Sequence, residues 1–293
     1  MVTDKSIWLA ELLYRKKYLK LDEIQKKWIE SSLSDGKELH RRTIQETFKK
    51  IEKLFDVNVV CNHHTNEYYY EDLEAFQKNS LGIWLLKTLS VTNALQDCQH
   101  LRNKILLEEP AKGLEYLPSI IEAINSSMKL EIDYHSFKGT SYTTVFSTYC
   151  IKNFKRRWYI LGFSERHGER RIFALDRILN INMTSISYVV PVDFDSEIYF
   201  KSCYGVTYSP ELKLETIVFK AIPDQRPYLR TCPIHSSQIE LSEGVFQIKV
   251  FVSFDLIEEL LTYGASIEII EPLSLRDRMR QRIEEMHEMY KKR

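Results

Sequence analysis

Apolar residues in the first part of the chain recur three and four positions apart, which is the spacing of amphipathic helices. Three such stretches cover residues 7–13, 21–29 and 39–55. A serine-rich break containing Asp35 and Gly36 separates the second stretch from the third, since these residues favour turns. The pattern therefore predicts three helices, of which the third is the longest.

A change of period follows the third helix. Residues 56–61 and 67–70 alternate as strands do, and a polar turn at residues 63–66 separates them. Three helices followed by a β-hairpin is the order of a winged helix-turn-helix. Residues 1–72 are therefore predicted to be a winged helix-turn-helix that binds DNA.

The polar face of the third predicted helix has the chemistry of a major-groove reader, because arginine, threonine and glutamine hydrogen-bond to base edges and lysine contacts phosphates. The competing interpretation is a three-helix cap with a solvated charged face, which the zero net charge of residues 1–72 favours. The predicted DNA contacts are His40, Arg41, Arg42, Thr43, Gln45, Lys49 and Lys50.

Residues 73–127 continue the helical spacing and predict a helical linker. Its first helix has apolar positions reaching Leu101, Ile105 and Leu106 and ends at residues 108–110, and a second helix is predicted from Leu117 up to residues 125–127. The period changes to two from Met128. Five short strands without long helices predict a small β-barrel of SH3 or Sm type over residues 128–190.

The last part of the chain mixes both periods. Residues 214–271 follow the order β-α-β-β-α-β, which predicts a ferredoxin-like fold, and residues 273–290 predict a charged helix with methionine and leucine on one side. Residues 191–293 are therefore predicted to be a ferredoxin-like extension with a terminal helix. The predicted fold class is a multidomain α+β protein.

The 41 basic and 41 acidic residues of this 293-residue chain cancel, but they are unevenly distributed. Residues 128–190 contain ten basic and five acidic side chains, whereas residues 191–293 contain thirteen and seventeen. A locally basic segment attracts anions. The predicted barrel is therefore a candidate site for an anionic ligand.

Several classes of protein are disfavoured by what the sequence lacks. It has no run of about 18 apolar residues and no secretory leader, so a membrane protein is not expected. Its five scattered cysteines suit reduced thiols in the cytoplasm, and no metal or cofactor is expected. Phosphate-loop, dinucleotide-binding, zinc-protease and serine-hydrolase motifs are missing, so an enzyme is not expected.

Two short motifs in the basic segment carry a family resemblance. RRWYILG at residues 156–162, followed by RIFALDRI at residues 171–178, resembles the WYL domain of bacterial transcriptional regulators. Ile160 replaces the leucine of the family name, and Thr148 stands where the family often has proline. The order of the predicted domains agrees with this family over nearly the whole chain.

The resemblance implies a DNA-binding regulator, usually a homodimer, whose barrel senses a nucleotide or nucleic-acid effector. It places five residues near the ligand, whereas Trp158 is predicted to lie in the core because it points away from Tyr159. An alternative is an accessory protein that binds RNA or single-stranded nucleic acid. The predicted ligand contacts are Tyr134, Lys152, Tyr159, Arg171 and Arg177.

Overall fold

The computed structural model describes residues 4–34, 36–96, 104–106, 108–209 and 211–291. The chain divides into two compact units, Met1–Glu108 and Glu109–Arg293. Both combine helices with antiparallel sheets, so the fold is a mixed α/β one.

In its described residues, the first unit contains three α-helices and a small sheet, followed by two more α-helices. The sheet is antiparallel with strand order β1-β3-β2, and its hairpin pairs Val59 with Tyr70 and Asn62 with Glu67. The elements are α1 (Asp4–Lys16), β1 (Leu19–Lys20), α2 (Leu21–Ile29), α3 (Arg41–Phe55), β2 (Val59–Asn62), β3 (Glu67–Tyr70), α4 (Leu73–Lys78) and α5 (Ser80–Gln96).

The start of α3 differs from the sequence expectation. Leu39 is buried but not helical, and His40 is the N-cap with an extended backbone (φ −68°, ψ 149°). The helix therefore begins at Arg41. The apolar pattern could not locate this boundary, because Leu39 packs in the core from the preceding loop.

The first of the two predicted linker helices does not extend as far as Leu106. Leu101 lies outside the described residues, whereas Ile105 and Leu106 are not helical. Gly113 has a left-handed backbone (φ 84°) and precedes a short 3-10 helix, and Pro110 cannot donate a helical hydrogen bond. Helix α6 (Leu117–Ser126) begins after this break.

The second unit begins with α6 packed on a five-stranded antiparallel sheet of order β7-β6-β5-β4-β8. Ile120 and Ala123 of α6 are fully buried with Leu130, Ile132 and Phe146 of the sheet. We call the side of the sheet that contacts α6 its inner face. The strands are β4 (Met128–His135), β5 (Ser141–Phe154), β6 (Arg157–Ser164), β7 (Glu169–Ala174) and β8 (Ile178–Ser187).

The rest of the second unit contains a four-stranded antiparallel sheet of order β10-β11-β9-β12. Its strands and helices alternate in the predicted order, and the last helix covers residues 273–291 against the predicted 273–290. The elements are α7 (Ser196–Phe200), β9 (Leu214–Ala221), α8 (Arg226–Thr231), β10 (Ile239–Ser242), β11 (Val245–Phe251), α9 (Phe254–Thr262), β12 (Ile267–Glu271) and α10 (Leu273–Lys291).

Candidate functional site

The turn between α2 and α3 is held in place by side chains of α2. Gln25 donates its amide hydrogen to the carbonyl oxygen of Leu39 at 3.0 Å, and the Trp28 indole donates to the carbonyl oxygen of Lys37 at 2.9 Å. Trp28 is itself 2% exposed. Because both acceptors immediately precede α3, these bonds fix the position at which α3 leaves the core.

Burial divides α3 into two faces. Ile44, Phe48, Ile51 and Phe55 pack in the core of the first unit. We call the opposite side, which bears the predicted DNA contacts, the α3 face. Six of its members are exposed, and Thr43 is half-buried; they are His40, Arg41, Arg42, Thr43, Gln45, Lys49 and Lys50.

The hairpin lies beside the first turns of α3. The ring of Tyr68 on β3 stacks on Phe48 with centroids 4.8 Å apart. Burial and the Cys61 side chain raise the pKa of Tyr68, while the nearby Arg41 guanidinium acts to lower it. Arg41 thus lies near the hairpin, and the α3 face continues onto β3.

Arg42 forms an ion pair along the helix, with its Nε 3.1 Å from the Glu46 carboxylate. The Arg42 side chain is 91% exposed. Exposed pairs at this spacing contribute only about 0.3–0.5 kcal/mol, so a phosphate or a base can displace the carboxylate at little cost.

Three arginines converge on one phenol at the inner face of the five-stranded sheet. The Arg166 guanidinium lies 4.9 Å from the ring centre of Tyr142, and the charges of Arg171 and Arg177 also reach that phenol. Burial raises the Tyr142 pKa, and all three arginines oppose this rise. We call Tyr142, Arg166, His167, Arg171 and Arg177 the arginine cluster.

Strand register explains why these residues meet. Tyr142 pairs with Tyr134, and Arg171 lies two residues from Phe173 on the same side of β7. Tyr134 stacks on Phe173 with centroids 4.4 Å apart. The aromatic pair therefore forms a floor beneath Tyr142 and Arg171.

His167 is fixed at the edge of this cluster by polar contacts. Its Nδ1 lies 2.8 Å from the Ser164 hydroxyl, which lies 2.9 Å from the Thr144 hydroxyl. The imidazole is 5.5 Å from Tyr142. Burial, followed by the charges of Arg171 and Arg166, lowers the His167 pKa and so disfavours the charged form of the ring.

Arg177 and Arg171 differ in their neighbours. The Arg177 guanidinium lies 3.1 Å from the ring centre of Phe137, which is 81% exposed. Arg171 forms an ion pair with Glu169, and both side chains are largely exposed. Arg171 is exposed, whereas Arg177 is half-buried, so an anionic ligand reaches Arg171 more readily from solvent.

Tyr134 contributes to the core beneath the arginine cluster. Its side chain is 5% exposed, and its hydroxyl oxygen accepts a hydrogen bond from the Ala174 amide at 3.2 Å. The Arg177 guanidinium lies 6.0 Å from its ring. Tyr134 supports the surface on which Arg177 lies.

The five predicted ligand contacts do not form one site. Lys152 and Tyr159 are cross-strand partners on the outer face of the sheet, because Tyr159 alternates with the inner-facing Trp158 and Ile160. Trp158 packs against the core as predicted. The Lys152 ammonium lies 3.8 Å from the ring centre of Phe200, which follows the sheet in the chain.

The members missed by the sequence prediction are Tyr142, Arg166 and His167. The sequence indicated these residues only weakly. Tyr142 is in a strand segment with alternating apolar and polar residues, and Arg166 and His167 lie in a polar loop. Strand pairing brings that loop to Tyr142, which composition could not reveal. The Asp176 carboxylate lies 3.4 Å from the Nε of Arg157.

Neither a metal nor a membrane site emerges from the described part of the chain. Within it, no three or more histidine, cysteine, aspartate or glutamate side chains are grouped to hold a metal ion. No helix found there has both the length and the apolar character needed to cross a membrane.

Comparisons with known proteins give two matches in the second unit. The WYL domain model matches residues 115–183, and the WCX domain model matches residues 213–287. The WYL match contains every member of the arginine cluster. No curated protein matches the sequence.

Two solved structures are similar at low identity. Proteasome accessory factor B/C (PafBC) of Arthrobacter aurescens is 16% identical with a TM-score of 0.34, over 94% of this chain and 45% of that one. This chain thus spans less than half the length of that protein. A CRISPR Cas-related protein is 12% identical with a TM-score of 0.39, over 98% of this chain and 84% of that one.

Proposed function

The chain belongs to the WYL-domain regulator family, and from that premise we propose that it is a ligand-responsive transcription regulator of a bacterial cytoplasm. In this proposal α3 reads duplex DNA, and the arginine cluster binds an anionic effector. The chain acts by binding and not by catalysis. Two copies bind one operator, because a two-fold symmetric reader matches an inverted repeat.

The fold assignments that belong to this proposal are finer than the mixed α/β architecture. Residues 1–72 act as a winged helix-turn-helix, with the β2–β3 hairpin as the wing. The five-stranded sheet is a small SH3-like barrel, and the strand order β10-β11-β9-β12 suits a ferredoxin-like extension.

The observation that carries the DNA-binding proposal is the separation of the two faces of α3. Its apolar side is buried, while Arg42, Gln45 and Lys49 project from the other side into solvent. The hydrogen bonds from Gln25 and Trp28 fix the turn before it. An exposed, rigidly placed helix with arginine near its N-terminus suits insertion into a major groove.

The arginine cluster supports an effector that combines phosphate with a planar base. Guanidinium groups bind phosphate oxygens with paired hydrogen bonds. The half-buried ring of Tyr142 offers an aromatic face, on which a base stacks with about 1–3 kcal/mol. A nucleotide or a short nucleic acid has both groups.

The DNA-binding proposal is tested by titrating duplexes that the protein retains from genomic fragments. Arg42→Ala is expected to cost about 1–3 kcal/mol on the preferred duplex and to reduce sequence preference. Lys50→Ala is expected to weaken binding to every duplex and to lower the salt dependence by about one ion. Lys78→Ala, on α4 of the same unit, is the control.

Unchanged duplex affinity in both α3 variants would show that α3 is not the reader. Preference for single strands or RNA over every duplex would favour the accessory-protein alternative. For the effector, Arg171→Ala is expected to abolish the response to nucleotide while operator affinity is kept. Loss of operator affinity with an intact response would contradict the sensor role.

A further inference from the structure

The tip of the β4–β5 hairpin is a turn that hydrogen bonds hold in one shape. The Ser136 amide donates to the Thr140 carbonyl oxygen at 2.9 Å, and the Gly139 amide donates to the Ser136 carbonyl oxygen at 3.1 Å. The hydroxyl groups of Ser136 and Thr140 lie 2.8 Å apart. Gly139 has a left-handed backbone (φ 76°), which glycine adopts without strain. The turn therefore holds Phe137 in a fixed place at the end of the hairpin.

Phe137 packs on a charged group and not on the core. It is 81% exposed, although it is a large apolar residue. The guanidinium carbon of Arg177 lies 3.1 Å from the centre of its ring. At this distance only a guanidinium that lies flat on the ring fits, because a tilted one would push its nitrogen atoms into the ring.

Arg177 is bordered by a second ring and stands on a fixed backbone. Tyr134 is 5% exposed, and its ring centre lies 6.0 Å from the same guanidinium. The backbone is fixed because Leu175–Arg177 form a 3-10 helix and Leu175 and Ile178 are buried. The long side chain would still be free to move, and the two rings restrict it.

The arginines of this site are held in different ways. Arg171 forms an ion pair with Glu169, whereas the Asp176 carboxylate, next to Arg177 in the chain, pairs with Arg157. A carboxylate binds the N–H groups at the edge of a guanidinium, which are the groups that bind phosphate. A ring contacts the flat face and leaves that edge uncovered. Phe137 therefore holds Arg177 without occupying its donors.

We propose that Phe137 is a positioning residue of the effector site, whose ring holds the Arg177 guanidinium flat so that its edge binds a phosphate group of the ligand. This inference rests on the proposed function and deepens it, because it gives a role to a residue outside the arginine cluster. A guanidinium that is already fixed loses less conformational freedom when it binds. Phe137 thus raises the affinity for phosphate through Arg177 and not by touching the ligand.

Titration with inorganic pyrophosphate and with adenosine diphosphate tests this role. Phe137→Leu keeps an apolar side chain but removes the aromatic face, and it is expected to weaken the binding of both ligands about fivefold. Phe137→Tyr keeps the aromatic face and is expected to bind both as the wild type does. Phe254→Leu is the matched control, because Phe254 is an exposed phenylalanine on α9.

If Phe137 acts through Arg177, the effects of the two substitutions do not add. In an Arg177→Gln background, Phe137→Leu is expected to cause no further loss of affinity for either ligand. A loss that persists in that background would overturn the inference. A loss limited to adenosine diphosphate would also overturn it, since Phe137 would then stack on the base directly. Unchanged affinity for both ligands would overturn it as well.

The contact itself is tested without a ligand. The ring current of an aromatic side chain shifts protons above its face to higher field. Proton–nitrogen correlation NMR is expected to show this shift for the Nε proton of Arg177, identified by its absence in Arg177→Gln, and Phe137→Leu is expected to remove the shift. An unshifted signal in the wild type would overturn the inference. If the shift is present but neither ligand binds, Phe137 still positions Arg177, and the proposed effector is wrong.

Discussion

The two faces of the five-stranded sheet carry the same kind of contact in different surroundings. On the inner face, the Arg166 guanidinium lies 4.9 Å from the Tyr142 ring centre. On the outer face, the Lys152 ammonium lies 3.8 Å from the ring centre of Phe200. Both are attractions between a cation and an aromatic face.

The two contacts differ in how far the surrounding chain buries the cation. Arg166 is exposed, and Phe137 beside Arg177 is 81% exposed. Lys152 is half-buried, and burial lowers its pKa while raising the pKa of the nearby Cys150 thiol to about 11. A cation that the chain itself covers holds the fold together, whereas a cation left open on an aromatic floor is available to a ligand.

Removing the inner-face cations should have the largest effect. Arg166→Gln/Arg171→Gln/Arg177→Gln is expected to cost about 4 kcal/mol of nucleotide binding, since a hydrogen bond to a charged group contributes about 1.5 kcal/mol or more. Isothermal titration measures this loss. Lys152→Met is the control. A comparable loss of nucleotide affinity in that variant would show that the two faces do not differ in ligand binding.

Removing the aromatic group from the inner face should have a smaller and more selective effect. Tyr142→Leu is expected to cost about 1–3 kcal/mol of affinity for a nucleotide, because base stacking is lost. Affinity for inorganic pyrophosphate should change little. Equal losses for both ligands would mean that Tyr142 does not stack a base.

The floor beneath the cluster should affect stability. Tyr134→Phe removes the acceptor of the Ala174 amide hydrogen. Leaving a buried donor without a partner costs about 1–3 kcal/mol, which denaturant unfolding would detect as a lower midpoint. Tyr142→Phe is a suitable control, since its ring is only half-buried. Unchanged stability would place Tyr134 outside the supporting floor.

The smallest expected effect concerns pH and the outer face. Burial lowers the pKa of Lys152 from 10.5, so folding disfavours its charged form. The wild type should therefore gain stability relative to Lys152→Met as pH rises from the lowered folded-state pKa towards 10.5. Unfolding curves at increasing pH measure this difference. If the stability difference between the wild type and Lys152→Met does not change with pH, Lys152 is solvated in the folded protein.

The sequence predicted the elements of the second unit well because their periods are clear. The motif around Trp158 lies on a strand as expected, and alternation correctly placed Trp158 towards the core. The next strand, predicted to reach Asp176, ends at Ala174, because Leu175–Arg177 form a 3-10 helix. The break at Pro110 and the next helix at Leu117 were also predicted. The sequence was less informative at Ile105 and Leu106, which have apolar spacing but are not helical. Periodicity records which residues can pack but not where the backbone breaks.

The candidate ligand site was predicted only in part. Arg171 and Arg177 belong to the arginine cluster, whereas Lys152 and Tyr159 lie on the opposite face. Residue type and net charge cannot separate these pairs, because both faces are cationic and aromatic. Strand register decides on which face of the sheet a side chain lies, and a register shift of one residue moves it to the opposite face.

The sequence by itself determined the periods of the helices and strands, the basic character of residues 128–190 and the family motifs, since all of these are local properties of the chain. Only the tertiary structure decided that Tyr142 and a loop containing Arg166 and His167 meet Arg171, and that Lys152 is covered. Cross-strand pairing joins residues far apart in sequence, and burial depends on which segment packs over them. Both are consequences of the whole fold.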